Sequence, residues 1–334
     1  MKKKTIFAII LFSVLTLILL STLKFSYFQK PKNTYSTQNQ NALWLRYQWV
    51  GEAHKKEEYE KLAQDLKQNK ITDAFFHVGP LNDQGNIEPE KYPFAQDLIG
   101  NLKPYYPELK IQAWIGQVEK RGGGILDISD LEVRNNIVAT SEKLLNLGFD
   151  GVHYNIEPIY SGDANILDLT RKTKAITQAK SKTLSIASDE MEIFPGADKL
   201  IRPFVKQAGF WSKEYYREVA DNVDQIAVMM YDTGLPFRGM FSNIVAWETR
   251  SILVNLKDKE VTVFMGVPTY EDKRWSFHPE AENMESGILG VQKGLEDFNK
   301  SDLERFGIAI YAEWTTDKKE WQFYRSHWLQ ISRD

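Results

Sequence analysis

The run Gly148-Phe149-Asp150-Gly151-Val152-His153-Tyr154-Asn155-Ile156-Glu157-Pro158 joins a short strand pattern to a set of polar groups on one face. Successive strand side chains point to opposite sides, so His153, Asn155 and Glu157 share a face and Val152, Tyr154 and Ile156 share the other. The apolar set suits packing against helices. The polar set would point inward, where an unpaired carboxyl is costly. Two uses are open to it: a buried hydrogen-bond network that fixes the strand, or a site in which Glu157 handles a proton.

Such a strand needs a frame. From residue 42 onward, short apolar runs alternate with longer amphipathic runs. The strand candidates are Ala42–Tyr47, Asp73–Val78, Ile111–Ile115, Gly151–Ile156, Leu184–Ser188, Gln225–Met230, Val261–Val267 and Gly307–Tyr311. The helix candidates are Lys56–Gln68, Phe94–Leu102, Leu131–Leu147, Ala164–Ala179, Ser212–Ala220, Ile244–Leu256, Ser286–Phe298 and Lys318–Leu329. Strict alternation predicts an α/β fold of parallel strands with helices outside, and eight units match a (β/α)8 TIM barrel. An open doubly wound sheet would carry a glycine-rich phosphate turn after its first strand. Gln48-Trp49-Val50-Gly51 is not one, and Gly122-Gly123-Gly124 after the third strand reads as a flexible loop. The loops at 190–211 and 268–284 are long for a barrel and belong to the face where barrel enzymes build their sites.

Polar residues at the C-terminal ends of barrel strands are the expected catalytic set. In order these are Tyr47, His77, Trp114 with Gln117, Asn155 with Glu157, Asp189 with Glu190, Tyr231 with Asp232, Tyr270 with Glu271, and Glu313 with Trp314. Carboxylates, amides and aromatics dominate. His54, His77, His153, His278 and His327 show no metal-ligand spacing, so no metal and no cofactor are predicted. No G-x-S-x-G turn is present for a serine nucleophile. With no cysteine, disulfides and thiol catalysis are excluded. Carboxylates and aromatics around a barrel mouth point to glycosidic bond cleavage, with Glu157 as proton donor, its pKa raised by partial burial.

The fourth-strand segment resembles the D-G-x-D-x-D-x-E signature of family 18 glycoside hydrolases. Asp150, Gly151 and Glu157 match, while His153 and Asn155 stand where that pattern has Asp. Met229-Met230-Tyr231-Asp232 is similar to that family's M-x-Y-D, and Trp314 follows the eighth strand where the family has a tryptophan under the sugar. The resemblance implies substrate-assisted hydrolysis, in which the substrate's N-acetyl group is the nucleophile. Asn155 carries no charge, which predicts weaker stabilisation of the cationic intermediate than Asp would give. Asn155-Ile156-Glu157 is also similar to the Asn-x-Glu pair of family 85 endo-β-N-acetylglucosaminidases. That precedent implies that Asn155 orients the acetamido group. On the same analogy Tyr231 would bond the acetamide oxygen and Asp232 would bind that oxygen or a nearby hydroxyl. Trp314 would floor the reacting subsite, with Trp114 and Tyr47 as wall. His153 would support the site from behind.

Residues 1–23 read as a cytoplasmic Lys cluster and membrane anchor. Lys2, Lys3 and Lys4 precede an uncharged apolar run from Ile6 to Leu23, near the minimum for spanning a bilayer. A cleaved signal peptide, and hence a secreted protein, is the alternative, but Ser21-Thr22-Leu23-Lys24 is a poor cleavage site. Residues 24–41 read as a polar tether, and 42–334 as the barrel domain, outside the cytoplasmic membrane. Six of the 42 basic residues and none of the 45 acidic ones fall in residues 1–40, so the remainder is net acidic by nine. That argues against a nucleic-acid partner. The expected partner is an oligosaccharide or polysaccharide containing N-acetylhexosamine. Two other readings stand beside hydrolysis: a catalytically silent glycan-binding barrel, and a two-carboxylate retaining glycosidase pairing Glu157 with an acid such as Glu271 or Glu313.

Overall fold

The computed structural model describes residues 26–32, 40–201 and 209–331. Eight parallel strands form a closed barrel: β1 (Asn41–Leu45), β2 (Asp73–Pro80), β3 (Lys110–Val118), β4 (Gly151–Glu157), β5 (Thr183–Ser188), β6 (Gln225–Val228), β7 (Thr262–Pro268) and β8 (Phe306–Tyr311). Each pairs with the next and β8 pairs back to β1. The main helices outside are α1 (Lys56–Gln68), α2 (Ala95–Leu102), α3 (Leu131–Asn146), α4 (Ala164–Ala179), α5 (Lys213–Ala220), α6 (Arg238–Leu256), α7 (Met284–Gly294) and α8 (Lys318–Phe323). Asp130, Asp163, Ser212, Asn283 and Asp317 cap the first turns of α3, α4, α5, α7 and α8 with side-chain oxygens. The (β/α)8 architecture is thus the one the alternation predicts.

Several boundaries move. β1 ends at Leu45, and Tyr47 already has helical torsions, opening a single turn over Gln48–Gly51. β6 ends at Val228 because the chain folds back on itself: Met230 N–H bonds Val228 O at 2.9 Å and Tyr231 N–H bonds Met229 O at 3.0 Å. α6 begins at Arg238 rather than Ile244, because Phe241 and Ser242 in its early turns are buried against the barrel. α7 stops at Gly294, and α8 gives way to a wider turn over Tyr324–Trp328. The triple glycine is a packed turn, not a loose loop: a side chain at Gly124 would collide with the Val118 carbonyl, and one at Gly122 with Pro158. The anchor at 6–23, the Lys cluster and half of the tether lie outside the described residues, and Asn41 at the tether's end already belongs to β1. Among the described residues no helix is long and apolar enough to cross a membrane.

The barrel interior is layered. Near its N-terminal end, Gln112 Nε2 donates to Asp73 Oδ1 and Gln225 Oε1 (2.9 and 2.8 Å), and Gln225 Nε2 donates to Asp73 Oδ1 (2.7 Å). Gly151 must lack a side chain here, since a Cβ would press on the Thr183 carbonyl and Gln112 Oε1. Asp150, just before β4, accepts from Ile111 N–H at 3.0 Å and pairs with Lys103 (2.7 Å) and Lys182 (3.3 Å). These two residues of the signature therefore hold the strand in place. The next layer is Trp44, Phe75 and Phe264, with His153 against the rings of Trp44 and Phe75. His153 is fully buried and stacks on Phe75 with ring centroids 3.9 Å apart.

Candidate active site

β4 delivers three inward side chains at successive depths. His153 is the deepest. Trp44 Nε1 donates to its Nε2 at 3.1 Å, and its Nδ1 lies 2.8 Å from Ser185 Oγ. An indole nitrogen only donates, so Nε2 accepts and the imidazole is the neutral Nδ1–H form. Burial agrees, pushing its pKa down to about 3. His153 shapes the floor and has no free valence to offer a substrate.

One rung up, Asn155 faces the mouth and is partly open to solvent, as is Glu157 at the strand's end. The Asn155 side chain neighbours the Glu157 carboxyl and opposes the rise of its pKa. Asn155 Oδ1 is buried and has no hydrogen-bond partner. Burial is the main cause of the raised Glu157 pKa, and the charge of Asp232 adds to it. Trp114 Nε1 is a second buried polar atom without a partner. It lies 3.3 Å from the point a Cβ on Gly116 would occupy, and Asn155 Cβ lies 4.0 Å from the same point, so the orphan donor and Asn155 flank one glycine.

The turn after β6 supplies Tyr231 and Asp232. Asp232 has a left-handed backbone, φ 62°. Its Oδ1 is 3.4 Å from Arg274 Nε, and the Tyr270 hydroxyl is beside its carboxyl. Burial raises its pKa, with Arg274 and Tyr270 opposing. Tyr231 stacks on Tyr311 at 5.4 Å and meets Tyr270 edge-on at 6.0 Å. The Glu157 charge acts on both Tyr231 and Tyr311. Behind Asp232 stand Glu190, Glu248 and Glu282, which burial pushes up to about 8, 8 and 7. Glu248 accepts from Met191 N–H at 2.6 Å and Glu282 from Thr233 N–H at 3.0 Å.

A cleft of about 450 Å³ adjoins this cluster, lined by Arg46, Tyr47, Gln48, His77, Trp114 and Trp314. Trp314 is 38% exposed. Tyr311 links cleft and carboxyls, touching Trp114 at 6.4 Å and Trp314 at 5.7 Å. A cavity of about 480 Å³ lies near the opposite end of the barrel, between the end of α6 and the segment before β8. It contains none of these aromatics or raised carboxyls.

The predicted residues therefore fall into two adjoining groups: Glu157, Asn155, Tyr231 and Asp232 around the acid, and Tyr47, Trp114 and Trp314 around the cleft. Sequence reasoning missed Tyr311 as the bridge, although its parity with Ala309 along β8 points it inward. It also missed Arg274, which nothing local marks. Glu313 pairs with Arg46 at 2.8 Å instead of approaching Glu157, and Glu271 is exposed. Asp232 is the carboxylate whose charge reaches Glu157. Among the described residues no cluster of His, Asp and Glu could hold a metal ion.

No protein-family model matches the chain, and no curated protein is similar enough to count as a relative. Solved structures do match. The spore cortex-lytic enzyme SleL of Bacillus megaterium aligns with TM-score 0.56 at 9% identity, over 89% of this chain and 75% of the other. A chitinase of Chromobacterium violaceum aligns with TM-score 0.53 at 12% identity, over 88% and 100%. The fold is that of the chitinase-like barrels. A candidate alpha-L-fucosidase of Bacteroides thetaiotaomicron aligns equally well, TM-score 0.55 at 10% identity, over 91% and 96%. One barrel thus serves several sugars, and the substrate has to be argued from the side chains.

Proposed function

We propose that the protein hydrolyses β-linked glycans containing N-acetylhexosamine, by a substrate-assisted retaining mechanism with Glu157 as acid and then base. The observation that carries this reading is Asn155 beside Glu157: its Oδ1 is an acceptor with no hydrogen-bond partner, next to a carboxyl whose pKa burial raises. A turn of the amide toward the mouth would offer that acceptor to an acetamido N–H, the kind of donor it lacks, and leaving it unmet costs about 1–3 kcal/mol.

In the first step Glu157 donates its proton to the bridging oxygen as the C1–O bond breaks. The acetamide oxygen bonds to C1 on the other face, and Asn155 Oδ1 holds the N–H whose acidity rises with the developing positive charge. In the second step the Glu157 carboxylate takes a proton from a water, which attacks C1 and reopens the ring. Tyr231 donates to the acetamide oxygen, and Asp232 binds a sugar hydroxyl. Trp314, Trp114 and Tyr47 give the neighbouring sugar apolar faces to lie on.

The barrel works outside the cytoplasmic membrane, held there by residues 6–23. Lys2, Lys3 and Lys4 before the apolar run support that reading. The neutral amide at Asn155 favours one second reading, a barrel that binds such glycans without cleaving them. Incubation with β-linked N-acetylglucosamine oligomers decides between them. New reducing ends from wild type and none from Glu157→Gln establish turnover, whereas binding by both proteins with no cleavage by either rejects it.

A further inference from the structure

Residues 26–32 lie across the outer helices as a strap. The Ser26 carbonyl packs directly on Gly239, where any side chain would collide with it. Asn243 Nδ2 donates to the Tyr27 carbonyl at 3.1 Å, and Lys32 N–H donates to Glu296 Oε1 at 2.6 Å. Gly239 and Asn243 are in the first turns of α6, which follow β6 and so lie at the mouth end. Glu296 follows the last residue of α7, at the opposite end. The strap thus descends from the mouth end, with Ser26 against the first turn of α6.

Only Lys24 and Phe25 separate Ser26 from Leu23, the end of the apolar run. Three Cα–Cα steps span at most roughly 11 Å. If residues 6–23 cross a bilayer, its surface lies against the mouth rim. That rim carries several exposed apolar side chains. Tyr27 is 74% exposed, Phe237 54% and Trp275 78%, with Ile193 and Phe194 at 60% and 50%. Phe237 and Trp275 sit on two loops tied together by the bond from Gly234 N–H to Ser276 O at 2.9 Å. Aromatic rings at the edge of a soluble body suit the headgroup layer, where one face is apolar and the other wet. The net acidity of residues 41–334 works against attraction to anionic lipid, so the apolar contact is the proposed driving force, with 0.5 M NaCl in the test to screen Arg238, Lys273 and Arg274 beside the rings.

We propose that the barrel docks mouth-first on the outer surface of the membrane that holds residues 6–23, with Tyr27, Phe237 and Trp275 in the headgroup layer. Docking rests on the anchoring read above and is independent of whether the site cleaves glycan. It makes the bilayer surface one wall of the approach to Glu157.

The test uses the full chain in vesicles of phosphatidylcholine and phosphatidylglycerol at four to one, in 0.5 M NaCl. The chain has no cysteine, so F237C and W275C each give a single spin-label site. Val254, 54% exposed lower on α6, and Glu260, 89% exposed on its side chain at the far end, supply V254C and E260C as controls. The expected result is flotation with the vesicles. Labels at 237 and 275 are then reached by oxygen and shielded from an aqueous nickel complex, while those at 254 and 260 are open to nickel. Flotation with nickel reaching 275 as freely as 254 overturns docking and leaves anchoring intact. A chain that does not float overturns both.

Discussion

Two levels of the same barrel treat polar side chains in opposite ways. In the middle, His153 has both ring nitrogens occupied, Phe75 stacked on its ring, Trp44 edge-on to it and no access to solvent. One rung higher, Asn155 holds an acceptor with no partner and Glu157 is partly open, its pKa raised by burial. The residues come from one strand and one face. What separates them is whether neighbouring strands close over them. At His153 the inward residues of β1, β2 and β5 do so; at Asn155, Gly116 on β3 offers only hydrogen. A filled rung yields rigidity and an unfilled rung yields a site.

The sharpest way to break this contrast is at Glu157. E157Q is expected to lose about 10³-fold in turnover of N-acetylglucosamine oligomers, as befits a general acid–base. Wild-type kcat/KM should fall as pH rises through the elevated Glu157 pKa, since the acid must carry its proton. An alkaline limb that survives in E157Q would assign that proton elsewhere. N155A should cost about 10² in kcat, with the melting temperature held within a few degrees, because it removes a partner only the substrate satisfies. H153A should do the reverse. It opens a cavity and strands the Trp44 N–H and Ser185 hydroxyl, for a loss of about 3 kcal/mol in urea unfolding. If H153A leaves stability untouched while abolishing turnover, the filled rung is part of the chemistry after all.

A smaller effect tests the buried acids behind the mouth. Glu248 has a folded pKa raised to about 8, above its unfolded value near 4.5. Between those values the folded state binds more protons than the unfolded one, so this group lowers stability as pH rises. E248Q, which can still accept from Met191 N–H, should therefore melt a few degrees above wild type at pH 8 and no more than slightly above at pH 5. Equal gains at both pH values would mean that the carboxyl is not the cause.

Much of this was legible before any coordinates. The alternation of strands and helices, and the parity of His153, Asn155 and Glu157, are local patterns that each segment carries by itself. The start of α6 was not. Gly239 and the polar residues around it weaken the helical stripe, and only burial of Phe241 against the barrel defines that turn. The bridging role of Tyr311 follows from strand parity, but its neighbours Tyr231, Trp114 and Trp314 come from three other places in the chain. Arg274 sits in a long loop whose path is set by bonds to the β6 turn, such as Thr233 N–H to Glu282, and no periodicity encodes such a path. Asp150 matches the head of the fourth-strand signature, and only the structure gives its place as a clamp on Lys103 and Lys182.

The left-handed torsion of Asp232 has a consequence for how this protein can change. A side chain at that torsion costs about 1 kcal/mol that glycine does not incur. D232G should therefore be about 1 kcal/mol more stable than D232A in urea unfolding, and equal stability of the two would mean the backbone there is at ease. Glycine at this position would ease the turn but leave Arg274 without its carboxylate, so backbone comfort and charge balance at the mouth pull residue 232 in opposite directions.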